Sequence, residues 1–71
     1  MNVKMIRRYL SGHLGSRALL IYFGSRNRKE KYEGIIWKTY YNVFTVKLIT
    51  GEIKSFTYID ILTKTLKICI S

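Results

Sequence analysis

The sequence predicts a mainly β fold, in which one N-terminal α-helix precedes a small antiparallel barrel of five strands. Three observations predict it: an opening segment with helical apolar spacing, five later segments of strand length, and a chain of only 71 residues. A chain of this size builds one small core, so residues 1–71 are expected to form a single domain, with a helix at 2–11 and a barrel at 17–70. Closing five strands into a barrel removes the exposed edges that an open sheet would leave.

The first predicted element is an amphipathic helix. Val3, Ile6 and Leu10 recur at spacings of three and four and form one apolar stripe, while charged residues take the other side. Asn2 suits the N-cap position, and Gly12 is expected to supply the left-handed residue that ends the helix. The helix is therefore expected to pack its apolar stripe onto the barrel.

Five strands are predicted from segments rich in apolar, β-branched and aromatic residues that lie between turn residues. The predicted strands are 17–23, 32–40, 43–48, 53–58 and 65–70, with a short helical turn at 59–62. The first strand is apolar on both faces, as expected where a sheet has a core on one side and a helix on the other. Gly34, in the middle of the second strand, indicates a bend or bulge. A one-turn helix before the last strand is typical of SH3-like and Sm-like barrels.

The charge of the chain is strongly positive and unevenly distributed. The formal net charge is +9, and residues 1–31 carry +7 of it, whereas residues 32–71 carry only +2. Such an asymmetry builds a positive face, which attracts nucleic acid or an acidic protein surface. The alternative is that the charge only keeps the protein soluble, because a net charge far from zero suppresses association.

The strongest candidates for binding lie in the basic tract 24–31, which is predicted to be a loop between the first two strands. Arginine can hold a phosphate or carboxylate through two hydrogen bonds, and lysine adds a point charge. Basic residues of the helix would extend this surface if the helix packs nearby. The predicted basic face comprises Arg7, Arg8, Arg26, Arg28, Lys29 and Lys31.

Aromatic residues beside the basic tract would allow bases of a single-stranded nucleic acid to stack on the protein. Most aromatic residues of the chain suit the core or an interface better than a recognition surface. The candidates are Tyr22, Tyr32, Trp37, Tyr40 and Tyr41.

The sequence offers no catalytic or metal-binding constellation. His13 is the one histidine and lies in a glycine turn, where a capping or solvated role is expected. The four acidic residues form no pair at helical or same-face spacing, and Cys69 has no second cysteine for a disulfide or zinc site. Asp60 is expected to accept hydrogen bonds from backbone N–H groups of its turn. We therefore predict a protein that is not an enzyme and that needs no cofactor.

The N-terminal residues lack the uninterrupted apolar run of a signal peptide, and no segment approaches the roughly 20 apolar residues of a membrane-spanning helix. These observations and the single thiol favour the reducing cytoplasm. The predicted partner is a protein with an acidic surface, or nucleic acid, and no membrane. Self-association into a homodimer is a third hypothesis, because so small a core would gain from it.

A series of short motifs extends along nearly the whole chain after the helix. It comprises Gly12-x-Leu14-Gly15-x-Arg17, the basic tract from Gly24 to Lys29, Gly34, Tyr40-x-x-Val43-Phe44-x-Val46 and Ser55-Phe56-x-Tyr58-x-Asp60-x-Leu62-Thr63-x-Thr65. In this order and spacing, the motifs resemble those of the Veg proteins, short cytoplasmic proteins of Gram-positive bacteria. The resemblance implies an SH3-like or Sm-like barrel without catalytic activity. It also implies a role in biofilm formation, in which the protein influences transcription by acting on a regulator.

Overall fold

The computed structural model of the protein describes residues 2–24 and 28–70, and it confirms the predicted fold class. Every predicted element is present, and the bounds agree within one residue except at the start of the second strand. The elements are α1 (Val3–Ser11), β1 (Arg17–Phe23), β2 (Lys29–Thr39), β3 (Val43–Leu48), β4 (Ile53–Thr57), α2 (Tyr58–Leu62) and β5 (Leu66–Ile70).

The five strands form one antiparallel sheet in the order β4-β3-β2-β1-β5. Strands β1 to β4 follow one another as a meander, and β5 returns to pair with the free side of β1. Strands β4 and β5 are the two edges and do not pair with each other, so the sheet is not closed and is a barrel only loosely. The short helix α2 connects these two edge strands.

The core lies on one face of the sheet, where α1 also packs. Ile6 and Leu10 of α1 belong to the same buried cluster as Ala18 and Leu20 of β1. The intervening Leu19 points to the other face and is 38% exposed. The prediction that a helix covers the second face of β1 is therefore wrong, because α1 packs against the face that already carries the core.

Gly34 and the irregularity of β2 are separate features. The register between β2 and β3 shifts between Ile36 and Lys38, where the Thr45 hydroxyl accepts from the Lys38 N–H at 3.2 Å and donates to its carbonyl at 3.3 Å. At Gly34, a β-carbon would lie 2.8 Å from the Leu48 Cα. The bulge thus lies beyond Gly34, which instead allows β2 and β3 to approach closely.

The ends of α1 confirm one predicted cap and correct the other. The Asn2 side chain accepts a hydrogen bond from the Met5 N–H at 2.9 Å, as expected of an N-cap. Gly12 has φ −79° and continues the right-handed backbone, whereas the positive φ falls at Gly15, at 85°. The chain therefore leaves the helix through a longer turn than predicted, in which the His13 Nδ1 donates to the Tyr9 carbonyl at 2.8 Å.

Helix α2 is capped by Thr57, whose hydroxyl accepts from the Asp60 N–H at 3.3 Å. The Asp60 side chain lies in the first turn of α2, where a negative charge favours the positive end of the helix dipole. Within the described part of the chain, its carboxylate accepts no backbone hydrogen bond, so the predicted role of Asp60 belongs to Thr57.

Candidate functional site

The basic tract is partly strand rather than loop, because β2 begins at Lys29, three residues before the predicted start. Side chains alternate between the two faces of a strand. Lys29 and Lys31 therefore share the face of the sheet that points away from the core, which we call the outer face. Glu30 points to the opposite face, where the Tyr32 hydroxyl donates a hydrogen bond to its carboxylate. This hydrogen bond is the main reason why the pKa of Tyr32 is raised. The one acidic residue of the tract is thus directed away from the two lysines.

A third lysine joins this outer face from the far end of the chain. Ile21 of β1 pairs with Lys31 of β2 on one side and with Lys67 of β5 on the other. At two strand spacings, Lys31 and Lys67 lie about 10 Å apart across Ile21, which is close to the Debye length at physiological salt. Their positive fields therefore overlap.

The lysines flank an exposed aromatic side chain. Phe23 pairs with Lys29, and the Lys29 Nζ lies 5.7 Å from the centre of the Phe23 ring. Phe23 is 39% exposed. We define the cationic patch as Lys29, Lys31 and Lys67 with Ile21 and Phe23 between them.

The structure brings only part of the predicted basic face together. Arg28 is exposed. Its carbonyl accepts a hydrogen bond from the Gly24 N–H at 2.9 Å, which continues the pairing of β1 with β2 beyond the ends of the two strands. Arg28 adjoins the cationic patch in sequence and space. Arg26 lies outside the described residues.

The basic residues of α1 lie elsewhere. Arg7 donates to the Tyr41 carbonyl at 3.0 Å, and its guanidinium lies 5.0 Å from the centre of the Tyr41 ring. Tyr41 belongs to the turn after β2, at the opposite end of that strand from Lys29. Arg8 is exposed on the solvent side of the helix. Arg7 is therefore part of a separate contact between α1 and the β2–β3 turn.

The predicted aromatic residues also lie at different places, some against the core and some at the surface. Tyr22 and Tyr32 are partly buried and pack against the core, whereas Tyr40 and Tyr41 are exposed at the β2–β3 turn. Trp37 is 38% exposed, with the Lys47 Nζ 4.9 Å from its ring centre. Phe23 and Lys67 are surface residues of the site that were not among its predicted residues. The alternation of their strands would have placed both outward, but only the pairing of β1 with β5 brings them together.

The described residues show neither a metal site nor a membrane-spanning helix. Within residues 2–24 and 28–70, no group of three His, Cys, Asp or Glu side chains is placed to hold a metal ion. Neither helix in this part of the chain has the length and apolar character needed to cross a membrane. Cys69 is exposed and forms no disulfide.

Comparison with known proteins identifies the family. No curated protein matches the chain. The model of the family described as biofilm formation stimulator VEG matches residues 1–69, which is nearly the whole chain. The match agrees with the motifs along the sequence. The chain therefore belongs to the VEG family of biofilm formation stimulators.

Proposed function

We propose that this protein stimulates biofilm formation by binding an acidic surface of a regulatory protein through the cationic patch, and that it influences transcription in this way without catalysis. The observation that carries the proposal is the exposed face on which Lys29, Lys31 and Lys67 surround two apolar side chains. A surface of this composition matches a protein partner that offers carboxylates around apolar residues, because interfaces combine an apolar centre with a polar rim. The exposed Arg28 adds a charge that can bind a carboxylate through two hydrogen bonds.

Nucleic acid is the second candidate, since Phe23 and Trp37 are exposed aromatic residues with a lysine beside each ring. Successive bases stack on aromatic residues that follow one another along a basic groove. Phe23 pairs with Lys29, and Trp37 lies eight residues further along β2, which corresponds to roughly 26 Å of strand. The two rings therefore do not form one stacking platform, and the arrangement favours a protein partner.

The test compares two double variants that remove the same charge. Lys29→Ala/Lys31→Ala removes two lysines of the cationic patch, and Lys4→Ala/Lys38→Ala removes two exposed lysines elsewhere. Each variant is returned to a strain that lacks the gene, and biofilm mass is measured with protein level and thermal stability. We expect the control variant to restore the biofilm and the patch variant to fail. Equal restoration by both variants would refute the role of the patch.

A binding measurement separates the two partner classes. Fluorescence anisotropy with labelled single-stranded and double-stranded DNA and RNA is recorded at low and at physiological salt. Nucleic-acid binding through several lysines should weaken steeply as salt rises, because each neutralised phosphate releases counterions. We expect no binding tighter than about 100 μM at physiological salt, which is in the range of non-specific affinity. Micromolar binding that the patch variant loses would establish the nucleic-acid candidate instead.

A further inference from the structure

An apolar groove lies between α1 and the edge strand β5. Helix α1 packs against α2 and β2, and the flank of α1 that carries Met5 and Tyr9 faces the side chains of Leu66 and Ile68 across a space of about 690 Å³. Ile61 of α2 also lines this space. Met5 and Tyr9 are 56% and 54% exposed, although both are large and apolar in character. The groove is thus an apolar surface that the chain itself leaves uncovered.

The charged residues of the groove are all of one sign. Among the described residues that line it, Lys64 and Lys67 carry charge and none is acidic. Lys67 and Phe23 also belong to the cationic patch on the other face of the sheet, so the groove and the patch meet at these two residues beside the β5 edge. An occupant that brings carboxylates is therefore favoured, and one that brings further positive charge is opposed.

The position of Lys64 at the groove follows from the end of α2. Lys64 follows α2 with φ at 64°, the left-handed region, and no other non-glycine residue in the described part of the chain has a positive φ. This conformation costs free energy for any residue with a β-carbon, and glycine would avoid the cost. A left-handed residue at this position is a common way for a helix to end, and after α2 it places Lys64 at the rim of the groove.

From the groove and its charge, we infer that the groove binds an amphipathic acidic helix of a partner protein. Apolar side chains of that helix would lie against Met5, Tyr9 and Ile68, and its carboxylates would meet Lys64 and Lys67. This mode of recognition places one apolar helix face in a groove and leaves the charged face at the rim. The inference rests on the proposed function, because it specifies which part of an acidic regulator the protein holds.

A second copy of the chain fits the groove less well. The net charge of +9 makes two copies repel, and the groove would bring Lys64 and Lys67 of one copy against a basic surface of the other. A small apolar carboxylate has the right charge, and the volume suits a drug-sized ligand. Such a small ligand would not reach the cationic patch, whereas a longer acidic segment can contact both the groove and the patch.

The probe for the test is a synthetic peptide of about 18 residues, with leucine at helical spacing on one face and glutamate elsewhere. Binding is followed by NMR of the isotope-labelled full chain, and the expected shifts fall on groove residues. A peptide with lysine in place of each glutamate should not bind. The proposal is overturned if the acidic peptide fails to bind at about 1 mM, or if the lysine peptide binds equally well.

Two double variants serve as a matched pair. Met5→Ser/Tyr9→Ser removes exposed apolar side chains from the groove, and Ile49→Ser/Ile53→Ser removes two exposed isoleucines elsewhere, of 70% and 51% exposure. Circular dichroism and thermal unfolding verify that both fold. We expect the groove variant to bind the acidic peptide at least about tenfold more weakly, a loss in the range of an interface residue of moderate importance, and the control to bind as wild type. Equal affinity of the two variants would overturn the proposal.

Lys64→Gly separates binding from folding, because it removes the strain together with the charge. The Tm of this variant should be unchanged or higher. Its affinity for the acidic peptide should fall about threefold, as expected for the loss of one exposed charge pair. Unchanged affinity would contradict the role of Lys64.

Two further measurements distinguish the other occupants. If dodecanoate shifts the groove residues and the acidic peptide does not, the groove is a small-molecule site and the proposal is wrong. If sedimentation shows a dimer that Met5→Ser/Tyr9→Ser dissociates, the groove is a contact between copies, and the proposal is equally wrong. In the biofilm assay, full activity of the groove variant with loss of activity in the patch variant refutes the groove alone. Full activity of both refutes the proposed function itself.

Discussion

Replacing Gly34 with Ala should destabilise the fold by about 3 kcal/mol, because β2 and β3 leave no room for a β-carbon there. The added carbon would contact the Lys47 carbonyl oxygen and lie 2.8 Å from the Leu48 Cα. Overpacking in a protein interior costs typically about 1–3 kcal/mol, and backbone atoms of a paired strand cannot rotate away as a side chain can. At about 0.05–0.15 kcal/mol per residue, a chain of this length has a total free energy of unfolding of about 4–11 kcal/mol. The substitution should therefore remove a quarter or more of it.

Urea unfolding followed by circular dichroism measures this change, and thermal unfolding should show a Tm lower by about 12–24 °C. The matched control is Gly12→Ala, which adds the same atom where φ is −79° and the nearest atom lies 3.5 Å away. We expect the control to be neutral or more stable by up to about 1 kcal/mol, since alanine lowers the entropy of the unfolded chain. If the two variants differ in free energy of unfolding by less than about 0.5 kcal/mol, the steric explanation fails.

Three further predictions concern single side chains. Burial raises the pKa of the Tyr58 hydroxyl. The stability that Tyr58 contributes is therefore fully present below about pH 10, the pKa of tyrosine in the unfolded chain, and is lost as pH rises through the pKa of the folded state. Urea unfolding of Tyr58→Phe between pH 7 and 11 should show a shallower alkaline loss than wild type, and parallel curves would contradict this. At pH 7 the same variant should lose about 1 kcal/mol with the 2.7 Å hydrogen bond to the Tyr40 carbonyl. Asn2→Ala should cost about 1 kcal/mol and reduce helical circular dichroism, whereas Asn2→Asp should retain the cap and serve as its control. Leu20→Ala, at a fully buried position, should cost about 2–5 kcal/mol in urea unfolding, and a loss below 1 kcal/mol would contradict its place in the core.

The local pattern was sufficient to predict most of the fold. Strands β1 and β3 have the predicted bounds because turn residues flank both of them, Gly15 and Gly24 around β1 and Asn42 and Gly51 around β3. The start of β2 was missed because Lys29, Glu30 and Lys31 have no apolar side chains, and the backbone pairing with β1 is what makes them a strand. The open sheet was missed for a similar reason, since closure depends on whether β4 meets β5, and no local pattern reports that pairing.

The residues of the candidate site depended even more on tertiary pairing that the local sequence does not report. Lys29 and Lys31 were predicted from charge alone, but Lys67 joins them only through the pairing of β5 with β1. Arg7 was grouped with the basic tract because the position of α1 on the sheet is not visible in the sequence. The structure places it against Tyr41 instead. Charge composition thus predicted the kind of surface, and the tertiary pairing decided which residues form it.

The two edge strands of the open sheet carry a consequence for the behaviour of the protein at high concentration. Unpaired edges are templates for β-sheet growth between molecules, and a lysine on an edge strand opposes such growth, most strongly when it points inward. Lys54 of β4 has this inward position, with its Nζ 4.8 Å from the centre of the Tyr32 ring, and Lys67 lies on β5. If two molecules paired through their edge strands, one of these ammonium groups would lie close to the positively charged sheet of the other molecule. The lysines therefore protect an unclosed five-stranded sheet from aggregation.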